Sequence, residues 1–348
     1  MGSEMCIRDR VYISAWIKCH YPDVFICALL NAQPLGFYAP AQLIAEAKRS
    51  GVKVLAVDIN HSDWDSQLTG PPDTLTGRLG LRLGLRLVKG LARGEAERIV
   101  ASREPAFVML DEVMQRADVS ARALRAIALA DGCMSLGLNR RQALWQARRL
   151  GRQRHHELPL FVQSANHHST VCPTAKLAEL SLDTTLSGWE QPVSLPMASI
   201  GVEIVEDYHS LGLSLKGHPL DVLASPLERA GWQLCHVVNQ HPDGQRLKVA
   251  GLVTMRQRPG TAGGTVFLTI EDGRGQVNVI VWQQLTITYR DALLRSQIIG
   301  LVGRVQRVQS VTHFIAEALF DLNGFLHYVD FKAPHKASQT LMKSRDFQ

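Results

Sequence analysis

Features that mark several protein classes are missing from this 348-residue sequence. No apolar run reaches the roughly 18 residues that a membrane-spanning helix requires, and no secretory signal is recognisable. The six cysteines form no Cys-x-x-Cys pair, so no disulfide framework is indicated. Low-complexity tracts are also missing. These absences argue against membrane-spanning and disulfide-stapled secreted classes and indicate a cytoplasmic protein with reduced thiols.

The charge balance points weakly to a class of partner. There are 38 Lys and Arg against 32 Asp and Glu, which gives a formal net charge of +6. A positive excess favours an anionic partner such as nucleic acid, although many proteins of this size and charge bind none. Hydrophobic residues make up 46% of the chain, which is enough to form the cores of two or three domains.

The N-terminal third reads as mainly helical. Residues 1–10 show no clear hydrophobic period, and an amphipathic pattern begins abruptly at Val11. We interpret the first ten residues as a foreign segment joined to a truncated gene, with a natural N-terminus as the alternative. Helices are predicted to start near Val11, at Pro22 and at Pro40, because Pro suits a first helical turn. Residues 60–78 are polar and predict a loop.

A glycine-bounded turn leads into a predicted helix at residues 90–100, GLARGEAERIV. A helix start of this kind can bind a phosphate through its backbone N–H groups and its dipole. The segment is similar to the hairpin of helix–hairpin–helix DNA-binding elements, in which G-h-G-x-x-x-A-x-x-I is usual, but Ala92 replaces the second glycine. The alternative is an ordinary turn and helix. The candidate DNA contacts are Lys89, Gly90, Arg93 and Gly94.

A basic helix is predicted at about residues 139–153, with Asn139 as its N-cap. Arg140 and Arg141 lie at its start. These arginines are candidates for contact with the phosphate backbone of DNA, and a solvated helix face is the alternative.

A short apolar peptide, HHELPLF, follows that helix at residues 155–161. Leu158, Leu160 and Phe161 could fill an apolar groove on a partner. The peptide resembles the sliding-clamp-binding motif of bacterial polymerases, Gln-Leu-x-Leu-Phe, with Glu157 in the place of glutamine. Packing onto its own domain is the alternative.

Two groups of potential metal ligands predict no metal site. The histidines near residues 155–168 have no cysteine pair at ligand spacing. The carboxylates Asp58, Asp63 and Asp65 lack a supporting arrangement of strands, so we interpret them as turn and capping residues.

Residues 241–328 contain five β-like runs and one helix in the order β-β-β-α-β-β, which is typical of an OB-fold barrel. The face of strands 2 and 3 and the loops between strands 1–2 and 4–5 commonly bind single-stranded nucleic acid. A barrel that only packs against its neighbours is the alternative. Because Phe267 and Leu268 alternate, only one of them faces outward, and the sequence leaves open which. The candidate contacts are Arg256, Arg258, Arg304 and Arg307 for phosphates, and Phe267 and Trp282 for bases.

Taken together, several long segments resemble the C-terminal part of the bacterial DNA polymerase III alpha-subunit family (C-family polymerases). They include SAWIKCHYPDVFICALLN, SLGLNRRQALW, EDYHSLGLSLKGHPL and VAGLVTMRQRPGTAGG, and they cover residues 11–328. QPLGFYAPAQL and RQRPGTAGG look most like the error-prone, damage-induced branch. The resemblance implies nucleotidyl transfer with two magnesium ions held by palm-domain aspartates. Those aspartates are absent here, so we assign no catalytic residue, metal ligand or cofactor to this chain.

The sequence thus predicts a multidomain α+β protein with a mostly helical N-terminal part, a helix–hairpin–helix-like element and a C-terminal five-stranded OB-fold barrel. The expected divisions are 1–10 as foreign sequence, 11–78 as the end of a polymerase fingers domain, 79–161 as the hairpin and clamp-motif region, 162–240 as linker and short helices, 241–328 as the OB-fold and 329–348 as a flexible tail.

The expected function is that of the C-terminal DNA-binding portion of an error-prone DNA polymerase acting in translesion synthesis, inactive by itself and located in the bacterial cytoplasm. The implied partners are primer-template duplex, single-stranded template, the sliding clamp and damage-response accessory proteins, and no membrane. One alternative is a stand-alone module that binds single-stranded nucleic acid or the clamp. The other is a tRNA-binding or synthetase-like enzyme, for which we find no ATP-binding signature.

Overall fold

The computed structural model describes residues 2–35, 39–156, 198–309, 311–328 and 345–347. The chain divides into two compact units. The first contains Met1–Val57, Asp65–Lys89 and Ala198–Gln348, and the second contains Asp58–Trp64 and Gly90–Met197. Among the described residues, no helix combines the length and the apolar character needed to cross a bilayer.

Three helices begin the first unit: α1 (Gly2–His20), α2 (Pro22–Asn31) and α3 (Pro40–Arg49). Proline stands at the first turn of α2 and of α3, where its missing N–H costs nothing. Helix α1 starts at Gly2, so the segment interpreted as foreign continues the helix that was expected to begin near Val11. Its origin stays a prediction.

A small three-stranded sheet follows, with β1 (Val54–Leu55), β2 (Gln67–Thr69) and β3 (Gly80–Arg82) in the order β1-β3-β2. Strand β2 lies within the segment that was predicted to be only loop. Strand β3 is followed by a 3-10 helix at Leu85–Leu87. Within it, the guanidinium of Arg86 donates to the backbone carbonyls of Asn31 and Gln33 and pairs with Asp65.

The predicted OB barrel is confirmed, with five strands closed in the order β5-β6-β7-β9-β8-β5. Its strands are β5 (Arg246–Gln257), β6 (Val266–Glu271), β7 (Gln276–Val281), β8 (Ile298–Val308) and β9 (Val311–Asp321). Strands β7 and β9 pair in parallel, and the other pairs are antiparallel. Inward residues such as Val249, Leu268, Val279, Ile299 and Phe314 are almost completely buried and form the barrel core.

Two short helices lie between β7 and β8, where the sequence predicted one. They are α10 (Gln283–Thr288) and α11 (Arg290–Arg295). Two further short strands pair in parallel with β5: β4 (Gln233–Leu234) at one end and β10 (Arg345–Phe347) at the other. Strand β10 belongs to the predicted flexible tail, whose residues 329–344 lie outside the described residues.

Two packed helices precede the barrel in the segment predicted to hold linker and short helices. Helix α8 (Ile200–Ser210) is capped by Ser199, and α9 (Pro219–Arg229) is capped by His218. The apolar face of α9 carries Leu220, Leu223 and Leu227, which form a second buried cluster with Trp232 and barrel residues. The first part of the predicted linker, residues 162–197, lies outside the described residues.

The second unit is helical, with α4 (Arg93–Ser102), α5 (Leu110–Arg116), α6 (Ala121–Leu129) and α7 (Arg140–His156). The sequence predicted α4, as the helix at residues 90–100, and α7, as the basic helix at about residues 139–153. Asn60 organises the short segment 58–64 against them: its side chain accepts from the N–H of Phe107 and donates to the carbonyl of Phe107 and to Ser135 Oγ. Asp58 is buried and accepts from the N–H of Ser135.

Candidate nucleic-acid interface

The hairpin before α4 has the register that its sequence pattern predicts. Gly90 adopts φ = 86°, a left-handed conformation in which a side chain costs about 1–2 kcal/mol. Leu91 is buried at the next position, and Ala96 and Ile99 are completely buried on the inner face of α4. The apolar positions therefore anchor the hairpin, and the backbone between them forms its exposed turn.

The start of α4 is suited to an anion because no side chain caps it. Its N-cap residue, Ala92, has no acceptor atom, whereas Ser120 caps α6 and Asn139 caps α7. Arg93 is exposed and lies in the first turn, where it makes an exposed ion pair with Glu97 at 2.7 Å. Uncapped N–H groups and an exposed cation at a helix start together favour phosphate.

Lys89 has a different role from the one predicted. Its ammonium donates to the carbonyls of Tyr208 at 2.9 Å and of His209 at 3.0 Å, at the C-terminal end of α8. Burial lowers the pKa of this amine. A cation at a helix C-terminus satisfies carbonyls that have no partner within the helix. Lys89 therefore stabilises the fold, and its ammonium does not serve as the predicted DNA contact.

Arg140 was also predicted to contact DNA, but the structure buries it. Only 2% of its surface is exposed, and its guanidinium lies 4.0 Å from the carboxylate of Asp131. It shares the inner face of α7 with Ala143 and Ala147, which are buried. Arg141 is partly exposed and remains a candidate for phosphate contact.

The barrel presents a continuous row of outward side chains across its five strands. Phe267 on β6 pairs with Ile280 on β7, and Ile280 pairs with Ile315 on β9. Ile315 pairs with Arg304 on β8, which in turn pairs with Arg246 on β5. Residues opposite one another in a sheet share a face. We call these five residues the barrel row; it joins an apolar band to two arginines.

Phe267 is the member of the Phe267–Leu268 pair that faces outward, since 38% of Phe267 and 1% of Leu268 is exposed. Both arginines of the barrel row contact one carboxylate: Glu317 accepts from Arg304 at 2.9 Å and from Arg246 at 2.8 Å. The hydrogen bond from Arg304, aided by the charge of Arg246, lowers the pKa of Glu317. This carboxylate holds the two guanidinium groups together, and the cluster keeps a net positive charge.

Two other predicted barrel cations, the buried Arg256 and the exposed Arg307, donate to backbone carbonyls. Arg256 is 7% exposed, and its guanidinium donates to the carbonyls of Leu293, at 2.6 Å, and Ser296. It therefore ties α11 to β5 and is not a phosphate contact. Arg307 donates to the carbonyls of Asn239 at 2.7 Å and His241 at 3.1 Å, so it too is occupied with the backbone.

Arg258 and Trp282 lie near the first barrel loop. Arg258 is exposed in that loop, directly after β5. Trp282 is 53% exposed and follows Val281, whose partner Val266 comes just after the loop. The loop between β8 and β9 is a tight turn at Gln309, with φ = 55°. The first loop therefore offers more surface to a ligand than the last.

Three members of the barrel row were missed from the sequence: Ile280, Ile315 and Arg246. The period-2 alternation of QVNVIV already places Ile280 opposite in orientation to Val279 and Val281. The alternation does not show which strands are neighbours. Ile280 and Ile315 are aligned because β7 pairs with β9.

A cavity of about 430 Å³ lies elsewhere in the first unit, between α3, the segment before α9 and the turn between β6 and β7. Its lining carries both cations and carboxylates, including Lys48, Arg274, Asp221 and Glu271. Burial lowers the pKa of Lys48, whose amine donates to the carbonyl of Leu215. The mixed charge gives the cavity no preference for an anion, so we leave it outside the candidate interface.

No group of three or more His, Cys, Asp or Glu residues is arranged to hold a metal ion in the part of the chain that the structure describes. The clamp-motif residues Leu158, Leu160 and Phe161 lie outside the described residues, and their role stays a prediction.

Comparisons with known proteins match two separate segments of the chain. Residues 51–143 match the family described as helix-hairpin-helix motif, and residues 247–322 match the OB-fold nucleic acid binding domain. A relative from Brucella abortus named error-prone DNA polymerase is 40% identical over 317 residues, which is 91% of this chain and 27% of the relative.

Similar relatives occur in other bacteria. Error-prone DNA polymerases from Sinorhizobium medicae and Ralstonia nicotianae are 40% and 39% identical over 91% and 90% of this chain. The chain spans only 28% and 27% of their lengths.

Proposed function

We propose that this chain belongs to the family of the error-prone DNA polymerases, to which it is 38–40% identical over 91% of its length, and that it forms a DNA-holding portion of such an enzyme. The hairpin at Gly90–Gly94 would contact the backbone of primer-template duplex. The barrel row would contact single-stranded template. Two nucleic-acid-binding modules in one chain support this division of labour.

The barrel row is the observation that carries the proposal. Base stacking needs an exposed aromatic or apolar face, and the backbone needs cations beside it. Phe267, Ile280 and Ile315 supply the first, and Arg304 and Arg246 supply the second within one register. An exposed aromatic ring in one row with two apolar side chains and two cations favours a ligand-binding face over a barrel that only packs against its neighbours.

The hairpin supplies a contact that is independent of base sequence. Backbone N–H groups and Arg93 at the start of α4 would take one phosphate, as helix starts do in many anion sites. Gly94, one residue further, leaves the approach to these donors without a Cβ. A hairpin of this kind positions the duplex and carries no sequence preference.

The finer functional roles are part of the same proposal. They are polymerisation with two magnesium ions held by residues outside this chain, translesion synthesis, and clamp binding through Leu158, Leu160 and Phe161. Damage-response accessory proteins would be further partners. We expect the isolated chain to lack polymerase activity, and incorporation of nucleotides in a primer-extension assay would contradict this expectation.

Fluorescence anisotropy with labelled oligonucleotides tests the DNA-holding role. The intact chain should bind single strands with an affinity that falls as salt rises, because two or three phosphate contacts give a logarithmic slope of about −1.5 to −2. Phe267→Ala should weaken single-strand binding. Phe320→Ala is the matched control, since Phe320 is also an exposed aromatic residue of the barrel but lies outside the barrel row. Salt-independent binding, or equal effects of the two substitutions, would refute the assignment.

A further inference from the structure

Helix α7 carries a large aromatic side chain on its outer face. Trp145 is 52% exposed, in a helix whose inner face consists of Arg140, Ala143, Ala147 and Leu150. Exposing half of a tryptophan forgoes much of its hydrophobic stabilisation. An exposed tryptophan on a regular, well-packed helix therefore suggests a contact that is absent from the chain by itself.

The residues beside Trp145 on the outer face are arginines. Arg141 precedes it by four residues and Arg148 follows it by three, so all three lie within about 60° of arc around the helix axis. Residues at these separations are direct neighbours, with Cβ atoms about 5–6 Å apart. Arg148 is exposed and Arg141 is partly exposed. The tryptophan is thus flanked along the helix by two guanidinium groups.

The charge of α7 restricts what can cover this face. Its sequence, RRQALWQARRLGRQRHH, contains six arginines and no aspartate or glutamate. Arg149 is paired with Asp111 at 3.2 Å. For Arg148, no ion pair or hydrogen bond is found within the described portion of the chain. An apolar peptide over Trp145 would desolvate Arg148 without compensation, whereas a polyanion would pair with it.

We propose that Trp145 is a stacking platform for an unpaired base and that Arg141 and Arg148 bind the phosphates on either side of it. Arg141 and Arg148 are about 10 Å apart along the helix axis, and one strand of DNA advances about 3.4 Å per stacked nucleotide. The two arginines therefore reach phosphates of different nucleotides while the indole contacts a base between them. This site rests on the proposed function, and it adds a second single-strand contact, in the helical unit, to the one on the barrel.

Site-specific photocrosslinking is the primary test. A single-stranded oligothymidylate of about 16 nucleotides with 5-iodouracil at one position is irradiated with the intact chain, and the adducts are mapped by mass spectrometry. We expect an adduct on Trp145 in the parent chain. In Trp145→Ala the adduct should disappear, and in Trp145→Phe it should form on the phenylalanine at the same position. Because Trp145 is exposed, these variants should keep the circular dichroism and the melting temperature of the parent.

Binding measurements provide the second readout. Trp145→Ala should weaken single-strand binding by about 5-fold or more, since stacking one base is worth roughly 5- to 150-fold, and Trp145→Phe should restore most of the loss. Arg148→Ala should reduce the salt slope by about 0.7, and Trp145→Ala should leave that slope unchanged. Trp16→Ala serves as the control, because Trp16 is also exposed, at 45%, and lies on α1.

The outcomes separate this inference from the function on which it rests. If Phe267→Ala weakens binding but no adduct forms on Trp145 and Trp145→Ala binds like the parent, the stacking platform is refuted and the DNA-holding role stands. If the parent chain binds neither single strands nor duplex, both proposals fall. A Trp145→Ala variant that loses binding to the same extent as Trp16→Ala would also overturn the inference.

Discussion

Adjacent residues Phe267 and Leu268 should respond to alanine substitution in opposite ways. Leu268 is 1% exposed and belongs to the barrel core. Its truncation leaves a cavity in a closed barrel, so we expect Leu268→Ala to lower the free energy of unfolding by about 2–5 kcal/mol. Phe267 is 38% exposed, and its outward face contributes little burial. We expect Phe267→Ala to cost less than about 1.5 kcal/mol.

Binding should show the reverse order. Removal of the Phe267 ring takes away one stacking contact, which is worth about 1–3 kcal/mol per base and corresponds to roughly 5- to 150-fold in affinity. Leu268→Ala, measured where it remains folded, should retain most of its affinity because its side chain faces the core.

Thermal unfolding and oligonucleotide anisotropy measure the two effects on the same preparations. For a domain of about 150–250 residues, about 1 kcal/mol corresponds to roughly 2–4 °C in Tm. Leu268→Ala should therefore melt about 4–20 °C below the parent, and Phe267→Ala should melt within a few degrees of it. The assignment of the barrel row fails if Phe267→Ala melts as low as Leu268→Ala while its affinity for single strands is unchanged.

Three further predictions follow from the structure. Gly94→Ala should weaken duplex binding but keep or slightly raise stability, because alanine is favoured over glycine by about 1 kcal/mol within a helix. Gly90→Ala should instead destabilise the chain by about 1–2 kcal/mol, since Gly90 has φ = 86°. Equal stability of the two variants would contradict this. Arg256→Met should lower stability by about 1–3 kcal/mol through the loss of its bonds to buried carbonyls and should leave the salt slope of DNA binding unchanged. Arg258→Ala should reduce that slope by about 0.7. A reduced slope in Arg256→Met would show that the guanidinium of Arg256 reaches DNA. Burial raises the pKa of Cys133 from 9.0 to about 12. Between these two pH values the unfolded chain releases a proton that the folded chain keeps. The free energy of unfolding should therefore fall by up to about 1.4 kcal/mol per pH unit as the pH rises above about 9. Urea unfolding at stepped alkaline pH measures this decline, and a Cys133→Ala variant with an undiminished decline would refute its origin in that thiol.

The helices and the barrel were predictable because their signals are local. Alternation with a period of two, interrupted by glycine-rich turns, marked all five barrel strands. Pro22 and Pro40 marked helix starts, and the spacing of Gly90, Ala96 and Ile99 marked the hairpin with its buried positions. The 3-10 helix at Leu85–Leu87 has no comparable local signal, and Arg86 within it bonds to residues more than 50 positions away.

The sequence by itself determined the order of the elements, the excess of positive charge and the residue types available for binding DNA. The tertiary structure alone decided which cations can reach a ligand. Arg256 and Arg258 are two residues apart, but the first is buried against Leu293, 37 positions away, and the second is exposed. The barrel row likewise exists only because closure brings five separate strands into one register. Local periodicity follows from backbone geometry, whereas exposure depends on contacts between distant parts of the chain, which a single sequence does not specify.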